Sequence, residues 1–142
     1  MSDEEKQVRI TAFLCNWCAY AGADLAGVSR LEIPPTVRNI RVMCSGRVNP
    51  LFVLRAFLNG ADGVLVAGCH PGDCHYQRGN YYSRRRFVMI KDIFGTLGLG
   101  EERIKLSWIS ASEGLKYAET VRELTDALKK EEPNPTRKEL FL

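Results

Sequence analysis

The sequence predicts an α/β fold: a small doubly wound, mostly parallel four-stranded sheet in the flavodoxin-like order 2-1-3-4, with helices on both faces. Three observations carry this reading. Four apolar strand-like runs alternate with four helical segments along the 142 residues. The run Val64-Leu65-Val66-Ala67 is apolar throughout and Ile10-Thr11-Ala12-Phe13-Leu14 nearly so, as central strands covered on both faces should be. By contrast, Arg38-Asn39-Ile40-Arg41-Val42 and Ile104-Lys105-Leu106-Ser107-Trp108 alternate in polarity, which suits the two edges.

The elements follow in order. The first strand is read over Val8–Leu14, and an Ala- and Gly-rich helix from about Cys18 to Ser29. Pro34 and Pro35 then turn the chain into a second strand, Arg38–Met43. Asn49 has the chemistry of an N-cap and Pro50 that of the first helical position. The helix they open places Leu51, Leu54 and Leu58 on one face and stops at Gly60. The third strand is Gly63–Gly68. In the third helix, opened by Arg84-Arg85-Arg86, the apolar residues Phe87, Ile90, Phe94 and Leu97 recur at helical spacing. The fourth strand is Ile104–Ile109, and Ser110-Ala111-Ser112-Glu113 has the pattern of a capping box. The last helix should turn Leu115, Ala118, Val121, Leu124 and Leu128 inward.

Composition narrows the function classes. With 45% apolar and 26% charged residues the chain is an ordinary globular one rather than a disordered one. No apolar run nears the roughly 20 residues that cross a bilayer, so no membrane association is expected. The polar, acidic start MSDEEKQVR is no signal or transit peptide, which points to the cytoplasm. A net charge of +3 gives no support for nucleic-acid binding. There is no G-x-G-x-x-G or P-loop pattern for a nucleotide.

Cysteine stands out, with five residues and no leader peptide to suggest disulfides. Cys15 ends the first strand and Cys18 opens the next helix. Cys44 ends the second strand, Cys69 ends the third, and Cys74 lies in the loop beyond. All therefore fall at the carboxyl edge, where ligands bind at the reversal of strand order. Neighbouring strands are about 4.8 Å apart, so thiolates from adjacent ends can meet. The C-x2-C pair Cys15/Cys18 and the C-x4-C pair Cys69/Cys74 would each grip one metal of a 2Fe–2S centre, with Cys44 a fifth thiol. Amides opening the first helix would favour its negative charge. Other readings stay open: a tetrahedral zinc site in an interaction module, a dithiol oxidoreductase using Cys15/Cys18 at a helix start, or buried structural cysteines.

Around them, His70 and His75 are candidate ligands or, more ordinarily, loop hydrogen-bonders. Trp17, Tyr20, Tyr76, Tyr81 and Tyr82 could keep water from a cluster. The arginine triplet could dock an acidic partner or simply form a solvated face.

The segments FLCNWCAYAGADLAG (Phe13–Gly27), RVMCSGRV (Arg41–Val48) and GCHPGDCHY (Gly68–Tyr76) resemble the delta subunit of methyl-viologen-reducing nickel–iron hydrogenase. The resemblance runs over about residues 8–130 and takes in the RRRF and ISASEG segments. It implies a single iron–sulfur electron-transfer domain over residues 1–130; in the tail over 131–142, the apolar Leu140-Phe141-Leu142 is a candidate docking segment or a frayed terminus. It further implies one 2Fe–2S cluster, with the five family cysteines falling on Cys15, Cys18, Cys44, Cys69 and Cys74. Cys15, Cys18, Cys69 and Cys74 are expected as primary ligands, with Cys44 close behind. The implied partners are the hydrogenase small (iron–sulfur) subunit, or a formate dehydrogenase, as electron donor. The acceptor is the flavin-containing subunit of heterodisulfide reductase, which bifurcates electrons in methanogenesis. Such a protein belongs to an oxidoreductase complex without catalysing a reaction alone.

Overall fold

Strand Gly63–Gly68 is buried at every position, as its unbroken apolar sequence requires of a strand with neighbours on both sides and helices on both faces. In a computed structural model, which describes residues 8–70, 78–98, 101–131 and 134, this strand is β3. The others are β1 (Ile10–Cys15), β2 (Val37–Val42) and β4 (Ile104–Trp108). They form one parallel sheet in the order β2-β1-β3-β4. The alternating segments occupy the edges as expected, and β2 is exposed over its four central residues. The arginines there, Arg38 and Arg41, guard a free edge against pairing with another chain.

Four helices link the strands: α1 (Ala19–Val28), α2 (Pro50–Leu58), α3 (Gly79–Thr96) and α4 (Gly114–Lys129). Alternate residues of β1 and β3 point to opposite faces, which divides the core in two. On one side Ile10, Ala12, Leu14, Leu65 and Ala67 pack with Ala19, Ala23 and Ala26 of α1 and Tyr117, Val121, Leu124 and Leu128 of α4. On the other, Phe13, Val64 and Val66 meet Val53 and Phe57 of α2 and Ile90 and Phe94 of α3. The rings of Phe57 and Phe94 meet edge to face at 5.2 Å, a favoured aromatic geometry. Asn49 caps α2 by accepting the Leu51 N–H at 2.9 Å, with Pro50 at the first helical position.

Several local expectations are corrected. In α2 it is Val53 and Phe57 that are buried, while Leu51 and Leu58 are exposed and Leu54 only partly buried. A nine-residue helix has room for two residues beneath it, and the bulky ring that reaches Phe94 fixes which face turns inward. Leu115 of α4 and Leu97 at the end of α3 are exposed as well. Helix α3 begins at Gly79, ahead of the arginine triplet. Half the capping box forms. The Glu113 carboxylate accepts the Ser110 N–H at 3.0 Å, but Glu113 itself is the N-cap and the Ser110 hydroxyl meets Ser112 instead.

The packed structure reaches Asn134, which is 1% exposed. Its side-chain amide donates to Phe57 O at 2.6 Å and Ala61 O at 2.7 Å, and its backbone N–H donates to Asp62 Oδ1 at 2.8 Å. The second Asp62 oxygen accepts the Arg9 N–H at 3.0 Å. Leu140-Phe141-Leu142 lies outside the described residues. Among the described residues no helix is long and apolar enough to cross a membrane.

Candidate metal centre

Each described cysteine sits where a strand releases the chain. Cys15 is the last residue of β1, Cys18 is the N-cap of α1, Cys44 lies two residues past β2, and Cys69 follows β3 directly. In a parallel sheet these ends share one edge. The chain leaves β1 and β3 in opposite lateral directions, which opens a crevice between them. Cys15, Cys44 and Cys69 are buried and Cys18 half-buried, all in the same packed cluster.

The sulfurs of Cys15 and Cys69 are 3.7 Å apart, and the Cys18 thiol is hydrogen-bonded to Cys69 as well. The Cys15 thiol also faces Met43 O at 3.7 Å. The sequence pairs Cys15 with Cys18 along the chain, whereas the structure also sets Cys15 against Cys69 across the β1–β3 pair. Cys44 stands beside them with its sulfur accepting the Gly46 N–H at 3.4 Å. Cys74 and His75 fall in residues 71–77, outside the described residues. Among the described residues no three or more His, Cys, Asp or Glu side chains are gathered so that they could hold a metal ion by themselves.

The donor chemistry fits a thiophilic metal. The contact of Cys15 and Cys69 at 3.7 Å is near enough for both sulfurs to be drawn into one thiolate-ligated centre. Burial first, then the hydrogen bond that the Cys69 thiol gives to Cys18 and the nearby Cys15, push the Cys69 thiol well above its ordinary pKa. That balance favours the protonated Cys69 thiol, and a bound metal ion would reverse it. Cys15 and Cys69, whose sulfurs already meet, could hold such an ion together with further ligands.

The residue after Cys69 is held by its neighbour across the sheet edge. The His70 imidazole is hydrogen-bonded to the Glu113 carboxylate, linking the ends of β3 and β4. That contact first, and the Ser110 N–H second, lower the Glu113 pKa to about 2. His70 thus behaves as a loop hydrogen-bonder. Glu113 was legible in the sequence only as a capping residue, with nothing to signal its reach to His70. Of the aromatics, Tyr20 lies under the Arg41 guanidinium at 5.1 Å. Trp17, Tyr81 and Tyr82 are exposed and do not seal the site. Tyr76 lies outside the described residues.

A doubly wound sheet with thiols gathered at its switch point defines a cysteine-centred α/β protein. Comparison with known sequences makes the kinship specific. The chain belongs to the family described as methyl-viologen-reducing hydrogenase, delta subunit, which matches residues 10–130. It is 52% identical over 126 residues to the iron-sulfur subunit of the F420-non-reducing hydrogenase vhc of Methanococcus voltae, covering 89% of this chain and 88% of that one. It is 51% identical over 127 residues to the iron-sulfur subunit of the F420-non-reducing hydrogenase of Archaeoglobus profundus, covering 89% and 93%. It is also 49% identical over 131 residues to one subunit of the ferredoxin:CoB-CoM heterodisulfide reductase of Methanosarcina mazei, covering 92% of this chain but 16% of that longer one.

Proposed function

We propose that this chain is the electron-transfer subunit of a hydrogenase–heterodisulfide reductase assembly in the cytoplasm. It would hold one 2Fe–2S cluster on Cys15, Cys18, Cys69 and Cys74, with Cys44 beside it. The observation that carries the reading is the 3.7 Å approach of the Cys15 and Cys69 sulfurs, with Cys18 bonded to the same thiol. Thiols from separate strand ends meet there, so cysteines distant in sequence are within reach of one centre.

Relatives covered over most of their length are named hydrogenase iron-sulfur subunits, which supports iron–sulfur as the cofactor and a hydrogenase iron–sulfur protein as the donor. A segment of similar sequence lies within the much longer heterodisulfide reductase polypeptide. A module fused to a protein in one organism is a natural partner of its separate counterpart in another. That supports the reductase polypeptide, as the flavin-bearing component, for the acceptor.

A 2Fe–2S cluster accepts and releases one electron at a time. The protein's own part is to place and surround it. Cys15 and Cys69 are withdrawn from water, so the environment of the sulfurs is set by packing and by amide donors. The dithiol alternative asks for a partly exposed, activated thiol, and Cys15 is only 1% exposed. The test is anaerobic isolation of the full chain with iron, sulfide and zinc assay and visible absorption. Brown protein with iron and acid-labile sulfide in equal amounts is expected. Folded, colourless protein without iron would refute the proposal, and stoichiometric zinc would establish the zinc-stabilised alternative.

A further inference from the structure

The turn carrying Cys44 is fastened from elements that bear none of the described cysteines. Cys44 caps a short 3₁₀ turn, Ser45–Arg47, and its sulfur accepts the Gly46 N–H. So brief a turn has few hydrogen bonds of its own, and its last carbonyls have no donor within it. Three contacts hold it. Buried Ser45 lies against the end of β3, so close that a Cβ on Gly68 would stand 2.5 Å from its hydroxyl oxygen. Gly46 abuts the first residue of α3, where an added Cβ would stand 2.6 Å from Gly79 O and 2.8 Å from Gly79 Cα. Finally, Arg86 reaches back from α3, its Nη1 donating to Gly46 O and, at 3.5 Å, towards Val48 O.

The arginine triplet is therefore divided. Arg84 and Arg85 are exposed, whereas Arg86 is half-buried and turned onto the Cys44 loop. A guanidinium is always charged, and its rigid fork gives charge-assisted hydrogen bonds that a neutral side chain cannot replace.

We propose that Arg86 is a positioning residue. Through the carbonyls of Gly46 and Val48 it fixes the Cys44 turn, keeps the Gly46 amide on the Cys44 sulfur, and so sets the electron affinity of the neighbouring metal centre. Amide hydrogen bonds to sulfur are one of the protein's levers on a cluster's potential, since they favour the more negative, reduced form. The inference rests on the reading of the cysteines as a cluster site.

The test compares wild type with Arg86→Met, Arg86→Lys and Gly46→Ala, each as anaerobically isolated full-length protein checked for folding by far-UV circular dichroism. One measurement is the rate of iodoacetamide alkylation at Cys44 in the folded protein relative to that in the denatured protein, read by peptide mass spectrometry. Losing a charged donor should speed Cys44 alkylation about tenfold in Arg86→Met, less in Arg86→Lys. Gly46→Ala, whose Cβ must push the turn off Gly79, should reproduce the effect. The second measurement is the midpoint potential with its electron paramagnetic resonance spectrum. Arg86→Met should lower the potential and shift the g-values, and Arg86→Lys should lie nearer wild type. An unchanged alkylation ratio overturns the fastening, and an unchanged potential overturns the tuning. A wild-type protein without a cluster would refute the proposed function and the tuning with it, while the alkylation ratio would still report whether Arg86 holds the turn.

Discussion

Replacing Asn134 by alanine isolates one buried polar staple. The side chain is 1% exposed, and its amide nitrogen serves both Phe57 O at 2.6 Å and Ala61 O at 2.7 Å. These are the carbonyls where α2 ends and the chain turns into β3. Each hydrogen bond contributes about 1 kcal/mol net, and Ala61 O, left without that donor, adds to the loss, whereas Phe57 O keeps the Gly60 N–H at 3.1 Å. Together the substitution should cost about 3 kcal/mol. The backbone N–H of residue 134 keeps its bond to Asp62, so the loss should not reach the value of a lost core aromatic. For a chain of this size that corresponds to a melting temperature lower by roughly 10 °C. Asn134→Asp should be worse despite its matching shape, because it sets acceptors against acceptors and a second carboxylate near Asp62. Thermal melting by circular dichroism of the isolated protein checks both. A shift under about 2 °C for Asn134→Ala, or an Asn134→Asp protein more stable than Asn134→Ala, would refute the reasoning.

Other outcomes follow from the same structure. Cys69→Ser removes the thiol that meets both Cys15 and Cys18, so iron content and visible absorption should fall to near zero. Cys44→Ser should retain iron with altered electron paramagnetic resonance g-values, and loss of the chromophore there instead would make Cys44 a primary ligand. Phe94→Ala, at a fully buried site against Phe57, should cost about 3–5 kcal/mol by denaturant titration. Tyr117 donates to Asn39 Oδ1 at 2.7 Å, and burial holds its phenol above the ordinary 10.0. A raised folded-state pKa contributes stability that is complete below the unfolded value and lost as pH climbs through the folded one. Stability should therefore decline above about pH 10, and Tyr117→Phe should flatten that decline when melting is followed against pH.

The strand order was legible because two physical signals agreed. Unbroken apolarity marked β3 as central, and the alternation of Arg38–Val42 and Ile104–Trp108 marked the edges. The position of the described cysteines at the carboxyl edge followed from the strands alone, since each comes at or just after a strand end. What spacing does not contain is register. Cys15 meets Cys69 because β1 and β3 are hydrogen-bonded neighbours, a contact that the C-x2-C spacing does not announce. The buried face of α2 was missed because its leucines have the periodicity of a core stripe, while Phe57 finds its ring partner 37 residues later, on α3. The same blindness covers Glu113 with His70, 43 positions apart, and Asn134 with Asp62, 72 apart. Polar pairs of that separation leave no periodic trace.

A sheet made only of parallel strands also dictates a sequence of events. No hairpin brings its neighbours together early; every pairing waits for a long excursion of chain to close. The thiols of Cys15 and Cys69 begin 54 positions apart and belong to strands that touch only once such a loop has docked. If these thiols hold iron as proposed, the ion would be loaded after the backbone has settled. Its delivery would then have to reach into a finished rim rather than decorate an emerging thread.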